Sequence, residues 1–213
     1  MNQYIIIGAG GFGHELEEYL RDCFNAGGLK GEFIGYLDDT FSPNTLTKSK
    51  SRVLGGLNYD FPIGEFKFLL GLGDPESRSV TFASFVSRGA KFETLIHPSV
   101  YKSSSAQVGD GSILCPFSFL GCNSCVNKNS LLNIYSSIGH DCDIGPHSVL
   151  SPYATLNGGV VLGTETFLGT RATITQNCHV GSQTKISAGS VVYTNLPDAA
   201  IAIGNPARIK KIT

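Results

Sequence analysis

The sequence predicts a small α/β sheet followed by a parallel β-helix, and three observations carry that prediction. From Val108 to Val192 every sixth residue is aliphatic. Two residues before each of these stands a small residue in fourteen of fifteen cases, Val160 being the exception. Before about residue 95 the period vanishes, and short apolar runs alternate with helical ones between glycine clusters.

The aliphatic series runs Val108, Leu114, Leu120, Val126, Leu132, Ile138, Ile144, Leu150, Leu156, Leu162, Leu168, Ile174, Val180, Ile186, Val192. A period of six fits neither an α-helix nor an amphipathic strand and marks a hexapeptide coil. Each hexapeptide supplies a short strand and a tight corner, with the aliphatic side chain inward and the small residue in the crowded space beside it. Gly109, Gly121, Gly139, Gly145, Gly163, Gly169 and Gly181 follow the aliphatic position, where glycine is expected to relax the corner backbone. Three hexapeptides make one triangular coil. Fifteen make five coils, a prism roughly 24 Å long at a strand spacing of about 4.8 Å.

The elements before the coil follow in order. Tyr4–Ile7 reads as a buried strand, His14–Cys23 as a helix with Leu16, Tyr19 and Leu20 on one face, and Phe33–Leu37 as a second strand ending in Asp38-Asp39. Residues 40–64 are rich in Ser, Thr, Asn, Gly and Pro and read as a long loop. Phe66–Leu70 is a third strand closed by Gly71-Leu72-Gly73, Glu76–Ser87 a second helix, and Lys91–Ile96 a last strand. Strands alternating with helices predict a small parallel sheet. The division falls into residues 1–95 and 96–213.

Composition narrows the function. With a net charge of −1 and 15% charged residues, no basic stripe exists to neutralise phosphates, which argues against nucleic acid as the main partner. The apolar run Tyr4–Ile7 is too short for a signal peptide or a membrane span, so a cytoplasmic protein without membrane insertion is expected. In that setting six cysteines are not a disulfide framework. Cys142 and Cys178 occupy the small inward positions, and Cys122-x-x-Cys125 lacks the second ligand pair that a zinc site needs. The histidines show no metal-ligand spacing, and no catalytic metal is expected.

Gly8-Ala9-Gly10-Gly11-Phe12-Gly13 satisfies G-x-G-x-x-G between a strand and a helix, where backbone amides and a helix N-terminus can approach a pyrophosphate. Asp38 follows at the end of the second strand, where an acidic side chain could bind a ribose hydroxyl or a base. About 95 residues make only half of a dinucleotide fold, so a nucleoside diphosphate fits better than NAD. The glycines could also serve only a tight turn and close helix packing.

These motifs carry a resemblance over essentially the whole chain. Ile7-Gly8-Ala9-Gly10-Gly11, Tyr36-Leu37-Asp38-Asp39, Gly71-Leu72-Gly73, Leu95-Ile96-His97-Pro98, Asn133 with Ile138-Gly139-His140-Asp141-Cys142, and Gly204-Asn205-Pro206-Ala207-Arg208 together resemble the nucleotide-sugar N-acetyltransferases and sialic-acid O-acetyltransferase-like proteins of the left-handed β-helix class. The resemblance implies a half-Rossmann nucleotide-sugar domain, a left-handed coil that binds acetyl-CoA, and a homotrimer with active sites between neighbouring prisms. The left hand comes from the resemblance, since general crossover statistics favour the right hand. His140 resembles the family's general base, Asp141 the acid that supports it, and Asn133 a polar neighbour of the acceptor. Gly158 falls where backbone N–H meets the thioester carbonyl, and Ala188 where backbone meets the pantetheine arm. Gly8, Gly10, Gly11, Phe12, Gly13, Asp38, Asp39, Gly71 and Gly73 fall on the nucleotide-sugar side. Two positions depart from the family: Val149 stands where a second histidine is common, with His147 two residues earlier, and Phe12 stands where the glycine loop often has histidine, with His14 out of register.

The chemistry agrees with these assignments. Acyl transfer from a thioester needs a neutral nucleophile, a proton acceptor and an oxyanion stabiliser. Histidine suits the acceptor role because its ordinary pKa is near 6.5, and a backbone N–H can stabilise the oxyanion. In a straight strand Asp143, not Asp141, would share the side of His140, and only a corner would turn Asp141 back. His97 at the Pro98 junction reads as structural, and His147 and His179 stand alone. Arg208, Lys210 and Lys211 could meet coenzyme A phosphates or form a solvated tail. Outward Phe117, Phe119, Tyr135, Tyr153 and Phe167 form an apolar surface of the kind that marks an interface. The expected activity is acetyl-CoA-dependent N-acetylation of a nucleotide-linked amino sugar. Sugar O-acetylation and a non-catalytic trimeric scaffold are the alternatives, with a nicotinamide-dependent oxidoreductase more distant.

Overall fold

The structure, a computed structural model, describes residues 1–47, 50–59 and 62–212, with backbone only for Lys211 and Ile212. The first region is a five-stranded parallel sheet built from β1 (Asn2–Ile7), β2 (Gly31–Leu37), β3 (Val53–Gly55), β4 (Lys67–Leu70) and β5 (Lys91–Phe92) in the order β3-β2-β1-β4-β5. Its helices are α1 (Gly11–Asn25) and α2 (Pro75–Ser87). Central β1 is buried on both faces, which is why its apolar run is continuous rather than alternating. Tyr4 and Ile6 pack with Leu16, Leu20 and Cys23 of α1, while Ile5 and Ile7 pack with Phe82 and Phe85 of α2.

Two boundaries differ from the sequence expectation. The polar stretch 40–64 is not all loop, because Val53 is fully buried and β3 extends the sheet from β2. Three residues within a Gly- and Ser-rich segment give too short a pattern to detect. The predicted strand Lys91–Ile96 is two strands: β5 pairs with β4, whereas β6 (Leu95–Ile96) pairs with Ile113–Leu114. The coil therefore begins at Leu95, two strands before the regular repeat.

From β6 onward, two-residue strands recur every six residues up to Val191–Val192 and stack in parallel into three sheets of six, five and six such strands. Ser137 pairs with Thr155 and Ile138 with Leu156, so the chain returns to the same side after eighteen residues, three hexapeptides per coil. The inward aliphatics form one buried column with Ala106, Cys142, Ala154, Ala172 and Cys178. The small polar residues do more than save space. Ser112, Ser124, Ser130 and Ser148 donate to the carbonyls of Asn127, Gly139, Gly145 and Gly163 one coil on, which satisfies otherwise buried hydroxyls. One sheet reaches eight strands in all by ending in the hairpin Ala200–Ile203 and Arg208–Ile212, whose first strand pairs in parallel with Lys185–Ile186 and whose second returns antiparallel.

The glycines after the aliphatic positions have a different role from the one expected. Positive φ falls three residues after the aliphatic position, on Phe117, Asn123, Asn129, Tyr135, Asp141 and His147 among others. At Gly121, Gly139, Gly145 and Gly163 a Cβ would lie 2.4–2.8 Å from backbone atoms of the next coil. Glycine there permits close stacking of coils and does not relax the corner.

The sheet and the coil share a core. Ile113, Cys115, Leu131 and Val149 of the coil bury against α1 and β1, and Phe167 packs at the margin of the same cluster. Phe167 thus faces the first region and leaves the outward aromatic set. His97 tethers the junction, its ring nitrogens 3.1 Å from Asp22 Oδ2 and 2.7 Å from Ser99 Oγ. All six cysteines are free. Among the described residues no helix is long and apolar enough to cross a membrane, and no group of three or more His, Cys, Asp or Glu could hold a metal ion.

Candidate active site

The coil has three columns of corners, and chemistry-bearing residues concentrate on one. Asn123, Asp141, Gly159 and Asn177 stand at eighteen-residue intervals, each with φ between 57° and 71°. This left-handed backbone resolves the choice between Asp141 and Asp143. It turns Asp141 back, so that its Oδ2 lies 2.7 Å from His140 Nδ1. Asp143 instead accepts from Asn127 Nδ2 at 2.9 Å. Asn123 Nδ2 donates to Asp141 Oδ1 at 3.1 Å. Hydrogen bonds from the His140 ring and from Asn123 hold the Asp141 carboxyl below its ordinary range. An ionised carboxylate only accepts, so His140 Nδ1 carries the proton and, in the neutral ring, Nε2 carries the lone pair. Both side chains are open to ligand, His140 being 66% and Asp141 57% exposed. Asn123 escaped the sequence reading; its signal is the eighteen-residue step back from Asp141.

Gly158 stands one coil beyond His140, with the imidazole over it. A Cβ there would sit 2.5 Å from both His140 Nε2 and Cε1. Glycine is required because the ring occupies the space of a side chain. Gly158→Ala is therefore expected to displace the His140 ring and lower turnover by about 10- to 100-fold, since misplacement near 1 Å carries costs of that order. Its melting temperature should stay close to wild type. Steady-state kinetics beside a thermal melt check this.

The other candidates occupy other places. Asn133 and Ala188 lie on a second corner column, three coils apart, and Asn133 Oδ1 is engaged by its neighbour's N–H, Ile134 N, at 2.7 Å. No hydrogen bond joins Asn133 to His140. This second column carries a stacked ladder of Phe117, Tyr135 and Tyr153, with centroids 5.0 and 4.9 Å apart. The Arg171 guanidinium stands 5.4 Å from the Tyr153 ring. Tyr101 and Phe119 stack beside the ladder at 4.9 Å. Arg208 and Lys210 are exposed on the terminal hairpin, and the Lys211 side chain lies outside the described residues.

The glycine-rich edge divides into two kinds of glycine. A Cβ on Gly13 would fall 2.0 Å from the Gly8 carbonyl oxygen, and one on Gly71 would fall 3.0 Å from Gly13 Cα. Gly8 itself has φ 98°. These three pack β1, α1 and β4 together. Gly10, Gly11 and Gly73 meet nothing within 4 Å and leave the edge open. Gly13→Ala is thus expected to lower the melting temperature by about 5 °C or more, and Gly10→Ala by less than about 2 °C. A calorimetric scan of both variants checks the division. Phe12 is half-buried against the α1 core. Asp38 is already engaged: Oδ2 accepts from Ala9 N at 2.8 Å, and Oδ1 from the Thr40 N–H and hydroxyl. Burial pushes its carboxyl up, but these bonds outweigh it and hold the pKa below the ordinary value. Asp39 Oδ1 accepts from Leu57 N at 2.8 Å and pins the following loop. The N-terminus of α1 has no side-chain cap, which leaves its first amides free at the open edge.

No family model matches the chain, and no curated protein sequence does. Solved structures match over nearly its full length. The acetyltransferase domain of PglB from Neisseria gonorrhoeae FA1090 superposes with a TM-score of 0.90 at 28% identity, covering 98% of this chain and 100% of that one. The same domain in complex with acetyl coenzyme A gives 0.88 at 29%, with coverage of 98% and 100%. A histidine-to-asparagine mutant of perosamine N-acetyltransferase from Caulobacter crescentus, in complex with CoA and GDP-perosamine, gives 0.89 at 27%, with coverage of 99% and 98%. The chain is an acyltransferase. Its coil matches the left-handed β-helix of these acetyltransferases. The acyltransferase is thus similar along its whole length to proteins whose structures hold CoA, acetyl-CoA or a GDP-linked sugar.

Proposed function

We propose that this acyltransferase moves an acetyl group from acetyl-CoA to the amino group of a nucleotide-linked sugar. The observation that carries the reading is the His140–Asp141 pair: an exposed imidazole, oriented through Nδ1, with Nε2 over a side-chain-free Gly158. Full-length similarity to a perosamine N-acetyltransferase bound to CoA and GDP-perosamine supports the substrate class.

In this reading the neutral amine attacks the thioester carbonyl directly. The N–C bond forms, His140 Nε2 takes the proton the amine loses, and the C–S bond breaks to release coenzyme A. Asp141 stabilises the imidazolium that results, and Asn123 holds Asp141. The Gly158 N–H is the proposed oxyanion donor. The reaction needs no covalent enzyme intermediate. Residues 1–95 act as a half-Rossmann domain for the nucleotide, with the open glycines and the uncapped α1 amides approaching the pyrophosphate. Asp38 then acts chiefly by holding the glycine loop through Ala9. Arg208 and Lys210 are proposed to meet the phosphates of coenzyme A.

His140, Asp141 and Gly158 stand on one corner column, whereas Asn133 and Ala188 stand on another. A single coil cannot bring them together. Two coils side by side can, and the exposed aromatic ladder on the second column offers the apolar surface such packing needs. The homotrimer implied by the family resemblance, with each site shared between neighbours, is the assembly this reading adopts. Its test is thiol release from acetyl-CoA across a panel of UDP-, GDP- and dTDP-linked amino sugars. Release is expected only with an amino-sugar nucleotide. Asp38→Ala and a bulky residue at Gly10 should raise KM for that nucleotide and leave KM for acetyl-CoA nearly unchanged. Equal weakening of both would reduce the glycine loop to a structural turn.

A further inference from the structure

The third corner column faces α2 and carries a polar chain, buried at Arg78 and Asn129 and half-buried at His147, with no part in the chemistry above. Arg78 of α2 is fully buried, and every one of its N–H groups meets a neutral oxygen. Nη1 donates to Leu70 O at 3.0 Å and Leu72 O at 2.8 Å, on either side of Gly71. Nε and Nη2 donate to Asn129 O at 3.1 and 3.0 Å, and Nη2 also to Asn129 Oδ1 at 3.0 Å. A guanidinium has no acceptor, so Asn129 must present its oxygen to Arg78 and its amide nitrogen elsewhere. That nitrogen donates to Arg78 O at 3.1 Å and lies 2.8 Å from His147 Nδ1. Nδ1 must therefore be bare, and the bond exists only while His147 is neutral.

We propose that Arg78, Asn129 and His147 are positioning residues that lock the Gly71–Gly73 loop to the coil, so that protonation of His147 loosens the loop and weakens sugar-nucleotide binding. The proposal rests on the reading that the open glycine edge holds the sugar nucleotide. Burying a cation without a carboxylate is costly, and an apolar contact would join two elements more cheaply. What the guanidinium adds is direction: a rigid fork fixes two carbonyls of the loop against one residue of the coil. The charged groups facing His147 are Arg78 from α2, Lys128 from the preceding coil and Glu165 from the next, while Phe82 of α2 packs edge-on against its ring. Burial pushes the His147 pKa down, against a smaller upward pull from Glu165, which favours the neutral ring that the Asn129 bond requires. A depressed histidine pKa places the loss on the acid side, as pH falls below the ordinary value of about 6.5.

The test is titration calorimetry on the full chain with UDP-, GDP- and dTDP-glucose, whose diphosphate diesters take up no proton between about pH 5 and pH 7.5. Coenzyme A at constant pH is the control ligand. The probe that binds the wild type is carried forward. Its affinity is expected to fall about tenfold from pH 7.5 to pH 5. Asn129→Gly keeps the left-handed backbone (φ 55°) and should weaken the probe about tenfold at pH 7.5, with coenzyme A within twofold of wild type. His147→Gln suits the same corner, where Gln183 stands two coils on with φ 59°. Its amide oxygen accepts at every pH, so binding should match the wild type at pH 7.5 and stay flat to pH 5. If none of the three nucleotide sugars binds the wild type, the reading of the glycine edge falls and this proposal with it. If one binds, but Asn129→Gly binds it normally or loses both ligands equally, or His147→Gln keeps the acid-side loss, the positioning role is overturned while that reading stands.

Discussion

Replacing His140 with alanine is expected to lower kcat by about 10²–10⁴-fold, the range typical for loss of a positioned general base. The melting temperature and the affinity for coenzyme A should stay at wild-type values, because the side chain is largely exposed and, among the described residues, bonds only to Asp141. His140→Asn should behave alike. Its amide can still donate to Asp141 but offers no basic nitrogen at the reacting end. Steady-state kinetics with saturating substrates, beside a melt and a coenzyme A titration, make the measurement. A variant within threefold of wild type would remove His140 from the mechanism.

The second large effect is structural. Leu156→Asp is expected to prevent folding of the coil, whereas Thr155→Asp is tolerated. Leu156 is 1% exposed and pairs with Ile138 and Ile174 on the coils at either side. A carboxylate there has neither water nor a partner, and burying an unpaired charge costs several kcal/mol, comparable with the whole stability of a domain. Thr155 alternates to the outer face and is half-buried. Expression, solubility and circular dichroism melts of the two variants give the contrast. A folded, cooperatively melting Leu156→Asp beside an unfolded Thr155→Asp would mean the inward register is misassigned, and the placement of His140 over Gly158 would fall with it.

The coil was legible because its physics repeats. One aliphatic position sampled fifteen times reveals a phase that no single hexapeptide would, and the eighteen-residue pairing follows from that phase. What the sequence left hidden are contacts that depend on a single conformation. The period cannot tell that the corner residue is in the left-handed region, so it could not choose between Asp141 and Asp143. The same ignorance hid the stacking role of Gly139 and its equivalents, since a glycine needed for space looks like one needed for positive φ. Asn129 drew no notice in the sequence, and His147 read as a lone histidine. Their roles depend on Arg78, more than fifty positions earlier on another element, and no local pattern signals that. The strand Val53–Gly55 was missed because three residues carry too little alternation, and it is held by tertiary pairing to β2.

The most direct measurement is of the product. The protein is incubated with acetyl-CoA and the amino-sugar nucleotide that triggers thiol release, and the product is weighed by mass spectrometry before and after mild hydroxylamine. The account predicts a nucleotide sugar heavier by one acetyl group, in an amide linkage that hydroxylamine leaves intact, formed at least 10²-fold more slowly by His140→Ala. An acetyl group removed by hydroxylamine, or acetylation of a free sugar without a nucleotide, would contradict it.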